Sequence, residues 1–469
     1  MPIYKSTNLP ILRSTDLQIY IFMKRLTVLT IIILVGFGAF SQDITKRLDS
    51  AITALISDDG PGVTVLIRHN GEIIYHKGFG MANVEQNVKM DPGHVFRIGS
   101  ITKQFTACAI LKLEEEGKLS IKDDMHKYLP DFPTQGQKIT IEHLLTHTSG
   151  IKSYTGMENW TPEVRRKDFT PIELIEYFKK DSLDFMPGEK FLYNNTAFFI
   201  LGYIVEKVSG ISYEEYIETN FFGPLGMKNS YYDHPEEIIP MRVSGYEKEE
   251  GKLINAPYLS MTQPYSAGSL MSTVEDLDIW YKAVFDYRVV SKESLAKAHT
   301  SYVLNNGKET GYGYGWFIGN RFDKPTIEHG GGINGSLTKD LYFPEDDLFV
   351  AVFSNCTCFP PDPLAASLAA LVLNVDTAKK EITLSESQLE QFVGDYELMP
   401  GFVLSITLED GQLMAQATGQ SKNPIFPESE NKFFLKVVEA QLEFIKEGDK
   451  VVSVILYQGP AKLEGKKVK

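Results

Sequence analysis

The stretch Phe96-Arg97-Ile98-Gly99-Ser100-Ile101-Thr102-Lys103 decides how the rest of the chain is read. A serine and a lysine three residues apart share one face of a helix, one turn from each other. At a helix start, Ser100 meets free backbone N–H groups and the positive end of the dipole. Lys103 lies within reach of the hydroxyl proton, and burial favours its neutral form. The run from Phe105 to Leu111 carries no charge and Gly117 marks the end, so this helix reads as buried on nearly all sides. The pair is either a nucleophile with its base or a coincidence of spacing. Ser-x-x-Lys also starts at Ser149, Ser294, Ser336 and Ser429, but only the copy at Ser100 opens a long uncharged helix.

Composition narrows the partners. The chain has 469 residues, 43% hydrophobic and 23% charged, which suits more than one globular domain. A net charge of −14 argues against nucleic acid and against a polybasic membrane patch. Three cysteines make no disulfide framework. Cys108 reads as core. Cys356-Thr357-Cys358 allows a redox or metal pair, or two small residues at a strand end, and no further cysteine completes a zinc site. No cofactor and no metal is expected.

The first 42 residues read as a leader. Met23-Lys24-Arg25 precedes an apolar run from Leu26 to Phe40, short of the ~20 residues a membrane span needs. Ala39-Phe40-Ser41 is a small-x-small cleavage pattern that sets Gln42 as the mature start, and residues 1–22 read as an upstream start-site choice. An uncleaved N-terminal anchor is the alternative. Either way the body of the protein is expected outside the cytoplasm, periplasmic or secreted from a bacterium, with no stable membrane span after cleavage.

From residue 43 to 378 helical and strand patterns mix. Ile44, Leu48, Ile52 and Leu55 recur at helical spacing. Two apolar runs, Gly62–His69 and Glu72–Tyr75, flank Asn70-Gly71 and predict a hairpin. His143 and His147 are four apart, a zinc-like spacing without a third ligand, and both are expected to be structural. Tyr193 and Asn195 stand just before a helix predicted over Thr196–Val208. Two apart in extended chain, they point the same way; a polar turn with Asn195 as N-cap is the competing reading. Thr326–Gly332 reads as a strand ending in glycines after His329, and strands are expected at Thr338–Phe343 and Leu348–Ser354. A helix-rich middle between strands at both ends predicts an α+β fold, an antiparallel sheet flanked by helices with a helical subdomain. From 379 to 469 the apolar pattern has period two, with Phe402, Leu404, Ile406 and Leu408 before the Asp410-Gly411 turn. A separate small all-β meander, barrel or sandwich, follows.

Ser-x-x-Lys, Tyr-x-Asn and His-x-Gly in this order resemble the serine hydrolases related to class C β-lactamases, D-Ala-D-Ala carboxypeptidases and esterases. Gly78–Asn83, Ile141–Ile151 and Gly311–Trp316 resemble the same family over about residues 45–375, and the tail resembles a β-rich domain often fused to it. The resemblance implies a β-lactamase/transpeptidase-like fold and an acyl-enzyme on Ser100. Lys103 and Tyr193 would share the proton work, Asn195 would orient Lys103 or the substrate amide, and the backbone N–H groups of Ser100 and Gly332 would form the oxyanion hole. His329 stands where many relatives carry lysine, which puts β-lactam carboxylate recognition in doubt. The expected partner is a small-molecule or peptide substrate: a small ester or a D-amino-acid amide. The alternatives are a sensor acylated without turnover, a true β-lactamase, and an α/β-hydrolase using Ser266; the last lacks Gly-x-Ser-x-Gly and has its glycine motif in the wrong order.

Overall fold

The computed structural model describes residues 43–179, 183–376, 381–399, 401–436, 440–448, 450–458 and 461–468. The expected leader lies outside the described residues. Residues 43–53 are helical. Among the described residues no helix is long and apolar enough to cross a membrane.

From Leu55 onward the organising element is a six-stranded antiparallel sheet. Its order is Phe317–Arg321, Lys324–Ile333, Ser336–Phe343, Leu348–Ser354, Val63–His69 and Glu72–Phe79. The sheet's first and last strands in sequence are neighbours, because Val63–His69 pairs with Leu348–Ser354. The Asn70-Gly71 turn takes positive φ at both residues, 52° and 80°, the geometry a two-residue hairpin needs. Leu348–Ser354 is buried along its whole length. Its odd positions, Phe349, Ala351 and Phe353, join the large core that also holds Trp280. Its even positions face the other side by strand alternation, where helix Pro361–Leu373 packs. Helices therefore cover both faces, and the fold is the expected α+β sandwich of helices around an antiparallel sheet.

The helix after Ser100, Thr102–Glu115, is the centre of that core. Every residue from Thr102 to Leu111 is buried. Phe105 stacks on Trp280 at 3.9 Å between centroids, and helix Asn195–Ser209 packs beside it. A helix buried on all sides from Thr102 to Leu111 is held by neighbours in this way, with its polar side chains paired inside.

The tail forms a closed eight-stranded antiparallel barrel from Gly394–Met399 to Ala461–Lys467; first and last strands pair at Tyr396 and Lys467. Closure leaves no open edge. Phe392, Tyr396, Leu413, Phe433 and Phe444 fill its own core.

One cysteine reading is corrected. Cys356 and Cys358 are not merely two small residues at a strand end but a disulfide, their Cα atoms 5.0 Å apart just beyond Leu348–Ser354. That separation lies within the range a disulfide accepts. Cys108 is free and buried, as expected.

Candidate active site

Ser100 sits in a 3-10 turn, Gly99–Ile101, that runs into the buried helix. Three contacts hold this turn against the sheet. Thr338 Oγ1 donates to Ile98 O at 2.9 Å, and Ser336 Oγ donates to Arg97 O at 2.8 Å. Gly331 supplies the third by having no side chain: a Cβ there would fall 1.9 Å from Ile98 O and 2.2 Å from Thr338 Oγ1. Gly99, at φ 51°, likewise lies against the backbone of Gly332. The glycine run thus lets the strand Lys324–Ile333 touch the serine turn backbone to backbone. Gly331→Ala is expected to cost about 3 kcal/mol or more of stability, an overpacking clash against backbone. Gly330→Ala is its control, since a Cβ there meets nothing nearer than 3.6 Å. Urea unfolding of the two variants checks the difference.

Lys103 is completely buried. Its Nζ lies 3.1 Å from Ser100 Oγ, 2.9 Å from Asn195 Oδ1 and 2.8 Å from Ala267 O. No carboxylate pairs with it among the described residues. Burial holds its pKa well below the usual lysine value. The partner set fits that state. Both carbonyl oxygens can only accept, so they take the two N–H bonds of a neutral amine and leave its lone pair facing the Ser100 hydroxyl.

Asn195 reaches Lys103 because its neighbour does the capping. Asn194, not Asn195, is the N-cap of helix Asn195–Ser209, accepting from Ala197 N–H at 2.9 Å. The N-cap reading of Asn195 is therefore set aside. Asn195 Nδ2 donates to Thr155 Oγ1 at 3.3 Å, which orients its oxygen toward Lys103.

The Tyr193 hydroxyl is buried and makes no hydrogen bond among the described residues. Burial raises its pKa; the nearby Ser100 hydroxyl lowers it slightly without completing a bond. Tyr193 is thus a neutral phenol beside the serine, a proton donor and not a phenolate. Lys103 Nζ lies 4.9 Å from its ring centre.

His329 is buried with its ring centre 6.1 Å from that of Tyr193. Burial, with Lys103 beside it, pushes its pKa down to about 3. Its Nε2 pairs with Tyr312 OH at 3.1 Å and its Nδ1 with Gly330 O at 2.7 Å, so the ring is a neutral spacer in the wall. Under it, Asp340 accepts from the His329 N–H and from Gln104 Nε2. Burial pushes the Asp340 carboxyl up to about 7 from 3.8. The folded chain holds the extra proton between those values, so unfolding free energy is expected to fall as pH rises from about 4 to about 7 and then level. Asp340→Asn is expected to flatten that slope in urea titrations.

The other Ser-x-x-Lys copies have their hydroxyls occupied elsewhere: Ser336 on Arg97 O, Ser149 on Ile151 N–H, Ser294 on Ser291, Ser429 on Lys432 N–H. Ser266 is buried and donates to Phe198 O at 2.8 Å, which removes the α/β-hydrolase alternative. His143 closes a capping box at Thr140. His147 is buried, its Nδ1 accepting from Asn194 N–H, and packs on the rings of Tyr193 at 4.3 Å and Tyr312 at 4.7 Å. Sequence reasoning missed three parts: His147 as a prop for Tyr193, Tyr312 as partner of His329, and Ala267 O as acceptor for Lys103. Tyr312 lies in the glycine-aromatic run Gly311–Trp316, and that density was the available signal. A cavity of about 630 Å³ opens beside Tyr193, lined also by Ser153, Met157 and Leu192.

The chain is similar to known proteins over most of its length. The beta-lactamase family profile matches residues 44–374, and a domain of unknown function matches residues 378–467. A penicillin-binding protein of Bacillus subtilis (strain 168) is 31% identical over 459 residues, covering 91% of this chain and all of that protein. The solved octameric penicillin-binding protein homologue from Pyrococcus abyssi superposes with a TM-score of 0.63 at 30% identity, covering 90% of this chain and 99% of that one. A D-stereospecific amidohydrolase from Streptomyces gives 0.59 at 25% identity over 68% of this chain and 96% of that one. With a serine, a buried lysine and a glycine-lined strand meeting in one place, and most of its length matched, the chain belongs to the beta-lactamase family of penicillin-binding-protein-like hydrolases.

Proposed function

We propose that this chain is an exported serine hydrolase that acts through an acyl-enzyme on Ser100, with small esters or D-amino-acid amides as substrates. The observation that carries the reading is the buried, carboxylate-free Lys103 amine 3.1 Å from Ser100 Oγ. Lys103 takes the hydroxyl proton as Ser100 attacks the carbonyl. The N–H groups of Ser100 and the exposed Gly332 receive the developing oxyanion. The proton taken by Lys103 returns through the Tyr193 hydroxyl, which gives its own proton to the leaving group and takes this one in its place, and Asn195 keeps the Lys103 lone pair on Ser100. A D-stereospecific amidohydrolase among the similar structures supports the amide class. Export rests on the leader pattern before Gln42.

Weak or no β-lactamase activity belongs to the same reading. A neutral, buried His329 offers no charge to a β-lactam carboxylate, and one lost charge-assisted contact is worth about 1.5–3 kcal/mol. The test is kcat/KM for a p-nitrophenyl ester, a D-amino-acid amide and a chromogenic cephalosporin, with mass-spectrometric mapping of a fluorophosphonate adduct. Preference for the cephalosporin, or an adduct away from Ser100, overturns it.

The residues 43–378 and 379–469 are proposed to be separate domains, the catalytic groups all in the first. A chain ended near Asp376 is expected to fold and to hydrolyse a small activated ester. A folded but inert product would place part of the site in the barrel.

A further inference from the structure

A second cavity, of about 260 Å³, opens at the far end of the strand that carries Gly332. Arg97, Arg242, Tyr258, Asn334, Gly335 and Ser336 line it, and no carboxylate does. Behind the wall, fully buried Asp233 accepts from Arg97 Nε at 2.6 Å and from Arg242 Nη2. Two guanidiniums share one carboxylate, so the cavity keeps a net positive charge inside a chain of net charge −14. Arg166 adds a third cation, 5.6 Å from the Tyr258 ring at the mouth. Arg242 Nε is buried with no hydrogen-bond partner among the described residues. Arg242 Nη2 also faces Met271 Sδ at 3.3 Å. The Arg97 and Arg242 side chains keep about 28% of their surface exposed, and an anion in the cavity would meet that exposed guanidinium edge.

The cavity lies where the acyl end of a substrate would go. His329 stands near Tyr193, the proposed donor to the leaving group, so that end of the strand is the leaving-group end. The strand then passes Gly332 beside the serine turn and ends at Ile333; the turn Asn334-Gly335 leads to the cavity. At ~3.4 Å per residue the turn that leads to the cavity begins about 7 Å from Gly332, and Arg97 is three residues from Ser100.

We propose that this cavity binds a carboxylate at the far end of the acyl group, so that the enzyme prefers esters and amides of dicarboxylic or otherwise anionic acyl groups. The proposal rests on the acyl-enzyme reading above and adds the acyl class to it. Arg242 and Arg97 meet the carboxylate with their unspent N–H groups, and Tyr258 and Asn334 form the rim.

The test compares mono-p-nitrophenyl glutarate with p-nitrophenyl pentanoate, acyl chains of equal length that differ in the terminal carboxylate. The wild type is expected to favour the glutarate about ten- to a hundredfold in kcat/KM, the worth of one charge-assisted contact. Arg242→Gln is expected to lower that ratio about tenfold or more, with Arg242→Lys keeping part of it. Tyr258→Glu, at an exposed position, is expected to lower the ratio as well and does not depend on Arg242 variants folding. Equal rates on the two esters, or a ratio unmoved by either Arg242→Gln or Tyr258→Glu, overturn the cavity assignment and leave the hydrolase reading standing. If neither ester is hydrolysed and Ser100 takes no fluorophosphonate, the hydrolase reading fails. Calorimetry then decides the cavity alone: glutarate bound by the wild type and not by Arg242→Gln supports it. Inorganic phosphate bound in place of glutarate, or no binding of either, overturns it.

Discussion

Replacing Ser100 by alanine is expected to lower kcat on a p-nitrophenyl ester by about 10⁴- to 10⁶-fold, the loss seen when an activated nucleophile is removed. Among the described residues, Ser100 is the serine whose hydroxyl meets the Lys103 amine. Ser153 lies close, but its hydroxyl accepts from Asn195 N–H at 3.2 Å and meets no amine. Ser266 is sealed under Gly202 and Phe198, where even a Cβ on Gly202 would clash with it at 2.1 Å. The fold is expected to survive, because Ser100 is only half-buried and the turn is held by Thr338, Ser336 and the glycine contact instead. Thermal midpoints within a degree or two of wild type, together with a lost fluorophosphonate adduct, would separate chemistry from misfolding. Retention of more than about a hundredth of the activity would move the nucleophile elsewhere.

How much of this was legible in the residues depends on which interactions are local. The Asn70-Gly71 hairpin, the helix after Ser100 and the period-two tail follow from spacing, and each stands where the pattern puts it. The choice between a barrel and a sandwich did not follow, because it depends on pairing Tyr396 with Lys467, far apart in sequence. At the site, the pattern paired Ser100 with Lys103 because one helical turn links them. It could not divide the work of Asn194 and Asn195: two adjacent asparagines are alike until the backbone gives one the cap and aims the other at Lys103. Nor could it give Tyr193 a protonation state. That follows from burial against His147 and Lys103, contacts made across the fold. Arg97 was quoted in the first stretch with no role. Its pairing with Asp233, shared with Arg242, exists only in three dimensions.

Replacing Lys103 by methionine is expected to lower kcat/KM by roughly 10³- to 10⁴-fold, the upper part of the range for a general base. Methionine keeps the length and the buried stem and removes only the amine. Two carbonyls, Asn195 Oδ1 and Ala267 O, then lose a donor, at about 1–3 kcal/mol each. Against this stands the removed cost of burying an amine, so the variant is expected to stay folded. The pH profile distinguishes base from scaffold. A lysine held below its usual 10.5 presents the free amine at lower pH. Wild-type kcat/KM is therefore expected to rise with pH through that lowered value and to level above it, since the protonated form cannot accept the serine proton. The methionine variant is expected to lose this rising limb, its residual rate following hydroxide alone. Tyr193→Phe provides the contrast: it removes a donor and leaves Lys103 in place, so activity drops while the rising limb remains. If the limb survives in Lys103→Met and disappears in Tyr193→Phe, the base is the phenol, and burial of Tyr193 would have to be offset by a cation that the substrate itself brings.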